Sequence, residues 1–293
     1  MSHTRDAAIT WSGLIVLSVI WGLAFVAIKQ ADKELSPVNL ALVRWLIASV
    51  LFVALLPIVG KSKSRFEGRD VPRFLVVAFA NVAGYHISLN YAETSVSAGL
   101  SGLLIAFGPV FIVVLSVLLL DEKAGPKVVL ALLLAIVGTL VLSINSMNAS
   151  DLSSLLGPAE VIFSAFCYAL FAALGKPLVS KYGSGPTTIW AGLIGTAMML
   201  PLLSSTFISQ VESLPLDGWI SVLYLSVVST VVGYMLFYKL VSRKVVSKLS
   251  IQLYLIPVVS VVGGALLLGE SVTVFTAIGG AMMLAAVALV TRK

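Results

Sequence analysis

The stretch NVAGYHISLNYAE, residues 81–93, sets Asn81, Tyr85, His86, Ser88 and Asn90 into an otherwise apolar run. That is too much polarity for a helix facing lipid, where polar side chains turn toward protein or water. Donors and acceptors of this kind suit a polar solute, and His86 adds a group able to exchange a proton near neutral pH. Similar groups recur along the chain. At about 100° per residue, Trp21 and Phe25 share one helical face, as do Ser164, Tyr168 and Phe171. Tyr234 and Tyr238 stand in one later apolar run, Gln252 and Tyr254 in the next. Flat aromatic walls with hydroxyls and amides line cavities for mid-sized organic solutes, here one with an aromatic or apolar side chain. The candidate substrate-binding set is therefore Trp21, Phe25, Asn81, Tyr85, His86, Asn90, Ser164, Tyr168, Phe171, Tyr234, Tyr238 and Gln252. Trp11, Tyr91, Trp190 and Trp219 lie near run ends and are assigned to the interfacial aromatic belt instead.

Charge narrows the chemistry. None of the 13 Asp and Glu lies mid-run; Glu93, Glu122, Glu160 and Glu270 are all at ends, so no carboxylate proton relay is visible. His86 is either a proton-exchanging group or a hydrogen-bonded packing residue, leaving proton coupling and downhill movement both open. Arg44, seven residues into its run, can bind a substrate carboxylate or cap an outer helix end, and is read as structural because it is able to snorkel. Lys29 and Lys176 are read as snorkelling too. One cysteine (Cys167) and two histidines (His3, His86) exclude a disulfide framework, a CxxC pair and a clustered metal site, so no metal or cofactor is expected. The absence of GxxxxGK[ST], HExxH and GxSxG leaves ATP-driven and enzymatic readings without support.

The elements that position these residues are set by composition. With 59% hydrophobic and 11% charged residues, the chain lacks the charged coat, about a quarter of residues, of a soluble domain. A membrane helix takes about 20 mostly apolar residues, and ten such runs occur: 10–30, 38–57, 72–92, 97–119, 126–145, 158–179, 187–207, 216–238, 248–267 and 273–291. Connections are short; the longest, residues 58–71, reads as a polar, mobile loop. The first run exceeds the 7–15 residues of a signal-peptide core and nine more come after it, so it reads as a span. With the N-terminus cytoplasmic, 16 of the 19 Lys and Arg fall at cytoplasmic ends and only Lys29 and Lys33 outside. Both termini are thus expected in the cytoplasm, in the cell (inner) membrane. The net charge of +6 is membrane topology, not a nucleic-acid surface.

The chain also repeats itself. FGPVFIVVLSVLLLDE (107–122) and LIPVVSVVGGALLLGE (255–270) align without a gap, with 8 of 16 positions identical. WGLAFVAIK (21–29) returns as YALFAALGK (168–176), and Gly84-Tyr85 as Gly233-Tyr234. Five spans per copy place the second copy upside down, the build of many secondary transporters. The expected units are residues 1–147 and 148–293. Pro109 and Pro257 recur in register; each frees a carbonyl, of Ile105 and Leu253, and is expected to act as a hinge. Gly99, Ser101 and Gly102, with Ser260, Gly263 and Gly264, are expected to let two helices pack closely.

WG..F in the first span, Pro37 and Arg44 in the second, the mid-span prolines and the closing Gly269-Glu270 resemble the drug/metabolite transporter superfamily, EamA type. The first half departs by reading Asp121-Glu122 in place of Gly-Glu. The resemblance implies an all-α integral membrane protein of ten transmembrane helices in two inverted five-helix repeats, exporting amino acids or other small metabolites by alternating access. An uptake carrier or facilitator, and a non-transporting membrane partner, are the other readings. Monomer and homodimer both fit, with the lipid bilayer and a small-molecule substrate as partners.

Overall fold

The computed structural model describes residues 2–59, 61–108, 110–112, 114–115, 126–143, 155–242 and 246–291. They form helices joined by short turns, without a strand among the described residues. We number the long helices α1 (Ser2–Ala31), α2 (Pro37–Val59), α3 (Gly68–Ser95), α4 (Ala98–Ile105), α5 (Pro126–Ser143), α6 (Leu156–Tyr182), α7 (Ser184–Met199), α8 (Leu216–Leu240), α9 (Val246–Leu268) and α10 (Val274–Thr291). Each corresponds to one apolar run. Five are long and apolar enough to cross a membrane, and shorter apolar helices join them. Their outer faces are apolar: Leu266 is 78% exposed and Val50 70%, as suits a lipid-facing surface.

The seventh run departs from expectation. Its helix stops at Met199, and Leu200–Leu202 form a 3₁₀ turn before a short helix, Phe207–Glu212. Pro201 accounts for the stop, since it has no N–H to donate to the preceding turn; Leu200 itself keeps helical angles (φ −54°, ψ −38°).

The most extensive packings each join a helix of the first half to one of the second: α1 with α9, α4 with α9, α3 with α6, α2 with α7 and α5 with α10. Small residues permit the α4–α9 approach. A Cβ on Gly102 would stand 1.8 Å from Ser260 Oγ, so only glycine fits there. Gly269, at φ 68°, ends α9 in the left-handed region that a side chain disfavours. That turn aims Glu270 at the start of α4, where the amides of Ala98 and Gly99 donate to its Oε1 and Oε2 at 2.7 and 3.0 Å. The Gly-Glu pair therefore works as a cap supplied by another helix, a carboxylate on the positive end of a helix dipole. Its counterpart Glu122 lies outside the described residues.

The segment after α2, expected to be mobile, is tied down. The amide of Lys63 donates to the Tyr182 carbonyl at 3.1 Å, and that of Glu67 to the Tyr182 hydroxyl at 3.2 Å. The Tyr182 hydroxyl in turn donates to Asp70 at 2.5 Å. Lys181 completes the corner with contacts of 2.6 Å to Asp70 and 2.7 Å to Glu67. Its ammonium holds the carboxyls of Glu67 and Asp70 below the ordinary carboxylate range, with Tyr182 adding to the effect on Asp70. The same bonds, Asp70 first, push the Lys181 ammonium up.

Candidate functional site

Two helices carry π-helical turns at matching places. In α3 the π segment is Phe79–Gly84 and in α8 it is Tyr224–Val232. Each ends at a repeated Gly-Tyr, Gly84-Tyr85 and Gly233-Tyr234. A π turn inserts a residue into the helical register and re-aims the side chains beyond it, and such turns concentrate at functional sites.

The re-aimed residues of both helices border a cavity. Its walls come from α1 (Trp21, Ala24, Phe25, Ile28), α2 (Arg44), α3 (Tyr85, His86, Leu89) and α4 with the residue after it (Ile105, Ala106). The second half supplies Tyr168 from α6, Ser229 and Tyr234 from α8, and Ile256 and Pro257 from α9. The free volume is about 50 Å3. That holds a few water molecules and falls well short of the roughly 300 Å3 of a pocket occupied by a drug-sized ligand. The described conformation is thus contracted around its centre.

Aromatic rings set the shape. Trp21 meets Tyr168 edge-on at 6.5 Å between centroids and Tyr234 at 5.6 Å. Its Nε1 donates to the Ser229 carbonyl at 3.1 Å, joining α1 to the π segment of α8. A Cβ on Gly233 would come within 2.6 Å of that nitrogen, and one on Gly84 within 2.8 Å of Cys167 Sγ, so both copies of the pair leave no room for a side chain at the glycine. His86 Nε2 lies 3.2 Å from the Tyr234 hydroxyl, while Nδ1 has no partner among the described residues.

Of the residues singled out from sequence, Trp21, Phe25, Tyr85, His86, Tyr168, Tyr234 and Pro257 border this cavity. The others do not. Asn90 Nδ2 donates to the Pro37 carbonyl at 2.9 Å, stapling α3 to the start of α2. The Ser164 hydroxyl is near the carbonyls of Tyr85 at 3.1 Å and Glu160 at 3.0 Å. Asn81 is buried inside the α3 π segment. Phe171 stacks on Phe237 at 5.6 Å, with Tyr238 beyond it at 5.3 Å, forming a layer behind the wall. The side chain of Gln252 and the whole of Pro109 lie outside the described residues.

One lining residue is placed otherwise than its position along the span suggests. Arg44 does not snorkel: it is 3% exposed. Its Nε donates to Thr230 Oγ1 at 2.8 Å and its Nη2 to Ser229 Oγ at 3.2 Å. Glu93, placed at a span end, is fully buried with both carboxylate oxygens unpartnered among the described residues, while Lys29 Nζ spends itself on the backbone carbonyls of Glu93 and Val96.

The profile of the EamA-like transporter family matches the chain twice, over residues 9–144 and 155–292. The chain belongs to the EamA-like transporter family. Membership makes it a multi-pass membrane transporter of small molecules and not an enzyme. An uncharacterised transporter of Archaeoglobus fulgidus is 32% identical over 283 residues, covering 97% of this chain and 99% of that protein. A probable terminal-alkyne amino-acid exporter of Streptantibioticus cattleyicolor is 28% identical, covering 96% and 92%. A probable amino-acid metabolite efflux pump of Escherichia coli is 27% identical, covering 92% and 90%. A crystal structure of 15% identity superposes with a TM-score of 0.61 over 97% of this chain and 96% of that one, sharing the fold.

Proposed function

We propose that this EamA-family protein exports small organic metabolites, amino acids first, by alternating access around the central cavity. The observation that carries the reading is the cavity itself, walled by aromatic rings and bounded by helices of both halves. A solute held there touches residues 1–147 and residues 148–293 at once, so rocking one half against the other moves access from one side to the other. The contracted volume fits a state between the two openings. Pro257 borders the cavity and frees the Leu253 carbonyl, which suits a hinge in α9. Export is favoured by the exporter and efflux-pump names of two relatives. The positive-charge distribution favours both termini on the cytoplasmic side of a cell membrane.

Counterflow in proteoliposomes tests the reading without knowledge of direction or coupling. Saturable uptake of trace labelled amino acid, driven by the unlabelled amino acid inside, is the expected result. Folded, inserted protein that shows no counterflow for any amino acid would overturn it. Direction is read separately: expression should raise the tolerance of cells to a toxic amino-acid analogue, and lowered tolerance would indicate uptake.

A further inference from the structure

Arg44 presents an electrostatic problem that its partners among the described residues do not solve. The guanidinium is buried in a membrane helix, yet its described partners are two neutral hydroxyls. Among the described residues lining the cavity it borders there is no Asp or Glu. A cation removed from water is costly unless a counter-charge and hydrogen bonds replace its hydration. Surface cations in this same chain do find carboxylates, as Lys181 does.

The guanidinium is also held still. The Thr230 hydroxyl that accepts from Nε donates its own hydrogen to the Leu225 carbonyl at 2.8 Å, five residues back across the π turn. Trp21 pins the neighbouring Ser229 carbonyl. The π segment therefore fixes one edge of the guanidinium, and Nη1 has no partner among the described residues. A planar, oriented fork with unspent N–H groups beside a cavity is the geometry that receives a carboxylate.

Resting on the reading that this cavity is the substrate site, we propose that Arg44 anchors a carboxylate of the transported solute. The carboxylate is obligatory and the amino group is not. Among the described lining residues an ammonium meets no acidic side chain; it has the aromatic faces of Trp21, Tyr85, Tyr168 and Tyr234, which give a weaker cation–π attraction. The anchored anion supplies the missing counter-charge, and the aromatic walls take the rest of the solute.

The test is ligand protection of the purified full-length protein against heat, since a ligand bound to the folded state raises its melting temperature. Matched solutes separate the two charged groups: phenylalanine, 3-phenylpropionate lacking the amine and 2-phenylethylamine lacking the carboxylate, with leucine, 4-methylpentanoate and isopentylamine as the aliphatic set. The acids and amino acids are expected to protect, and the amines to bind at least about tenfold more weakly, the scale of one lost charge-assisted hydrogen bond. Arg44→Gln should lose protection by the acids, and Arg44→Lys, which keeps the charge but not the fork, should retain part of it. Amines protecting as well as acids, or acids protecting Arg44→Gln undiminished, would overturn the proposal. The comparison of solutes on the unsubstituted protein stands even if Arg44→Gln fails to fold. Amino-acid counterflow without any protection by carboxylates would sink the anchor alone; absence of counterflow would sink the exporter reading.

Discussion

Two charged regions of this protein solve the same problem in opposite ways. At the corner where the end of α6 meets the start of α3, Lys181 faces Asp70 and Glu67, Tyr182 bonds Asp70, and Arg69 reaches Glu67 at 2.5 Å. Charge there is met by charge from the chain itself. In the central cavity Arg44 is more deeply buried, where pairing matters more, and its partners among the described residues are hydroxyls. A corner complete in itself holds a fold together. A centre left incomplete is one that something else completes.

The comparison is broken most forcefully by removing the central charge. Arg44→Met is expected to lower counterflow at least a hundredfold while moving the melting temperature by only a few degrees in either direction, because replacing an uncompensated buried ion with an apolar side chain is often neutral. A large loss of stability with residual transport would make Arg44 a structural rivet.

Next in size is the cap. Glu270→Ala leaves the Ala98 and Gly99 amides at the start of α4 without their acceptors. Lost caps cost about 0.5–2 kcal/mol, and thermal unfolding would show it; an unchanged midpoint would mean water replaces the carboxylate.

A smaller effect is expected at the corner. Asp70→Asn should quicken tryptic cleavage after Lys61, Lys63 and Arg65 several-fold while leaving counterflow within about twofold of the unsubstituted protein. The sign of its pH dependence is set by the two shifts. Asp70 is held below the ordinary carboxylate range, so its contribution is present above about pH 4 and lost as pH falls through its folded value. Lys181 is raised, so its contribution is present below about pH 10.4 and lost as pH rises through its folded value. The difference in melting temperature between Asp70→Asn and the unsubstituted protein should therefore stay flat from about pH 5.5 to 9. A steep change inside that window would contradict the assignment.

The smallest effect separates two tyrosines. Tyr234 lines the cavity and meets His86, whereas the Tyr238 hydroxyl is buried without a partner among the described residues. Tyr238→Phe should leave transport unchanged and Tyr234→Phe should not; equal effects on counterflow would erase the distinction between wall and backing layer.

The spans were legible in the sequence because each needs a run of apolar residues whatever it packs against. Their packing was less so. Composition does not distinguish a π turn from an α turn, so the re-aiming of Tyr85 and Tyr234 had no signal beyond the repeated Gly-Tyr. Arg44 was judged by its distance along α2 from the helix end, but its burial is decided by the π segment of α8 laid across it, nearly two hundred residues away in sequence. Asn90 and Ser164 looked like cavity groups because a polar side chain in a membrane helix must find a partner; they find it in backbone carbonyls of neighbouring helices. Ser164, Tyr168 and Phe171 do share a helical face, yet only Tyr168 among them reaches so narrow a cavity.

The most direct measurement is counterflow of labelled phenylalanine into proteoliposomes, run in parallel with the unsubstituted protein and Arg44→Met after both have been shown to melt cooperatively. Saturable counterflow in the first and its loss in the second is the predicted result. Equal counterflow in both would contradict the central claim that this cavity, with its uncompensated guanidinium, is where the substrate binds.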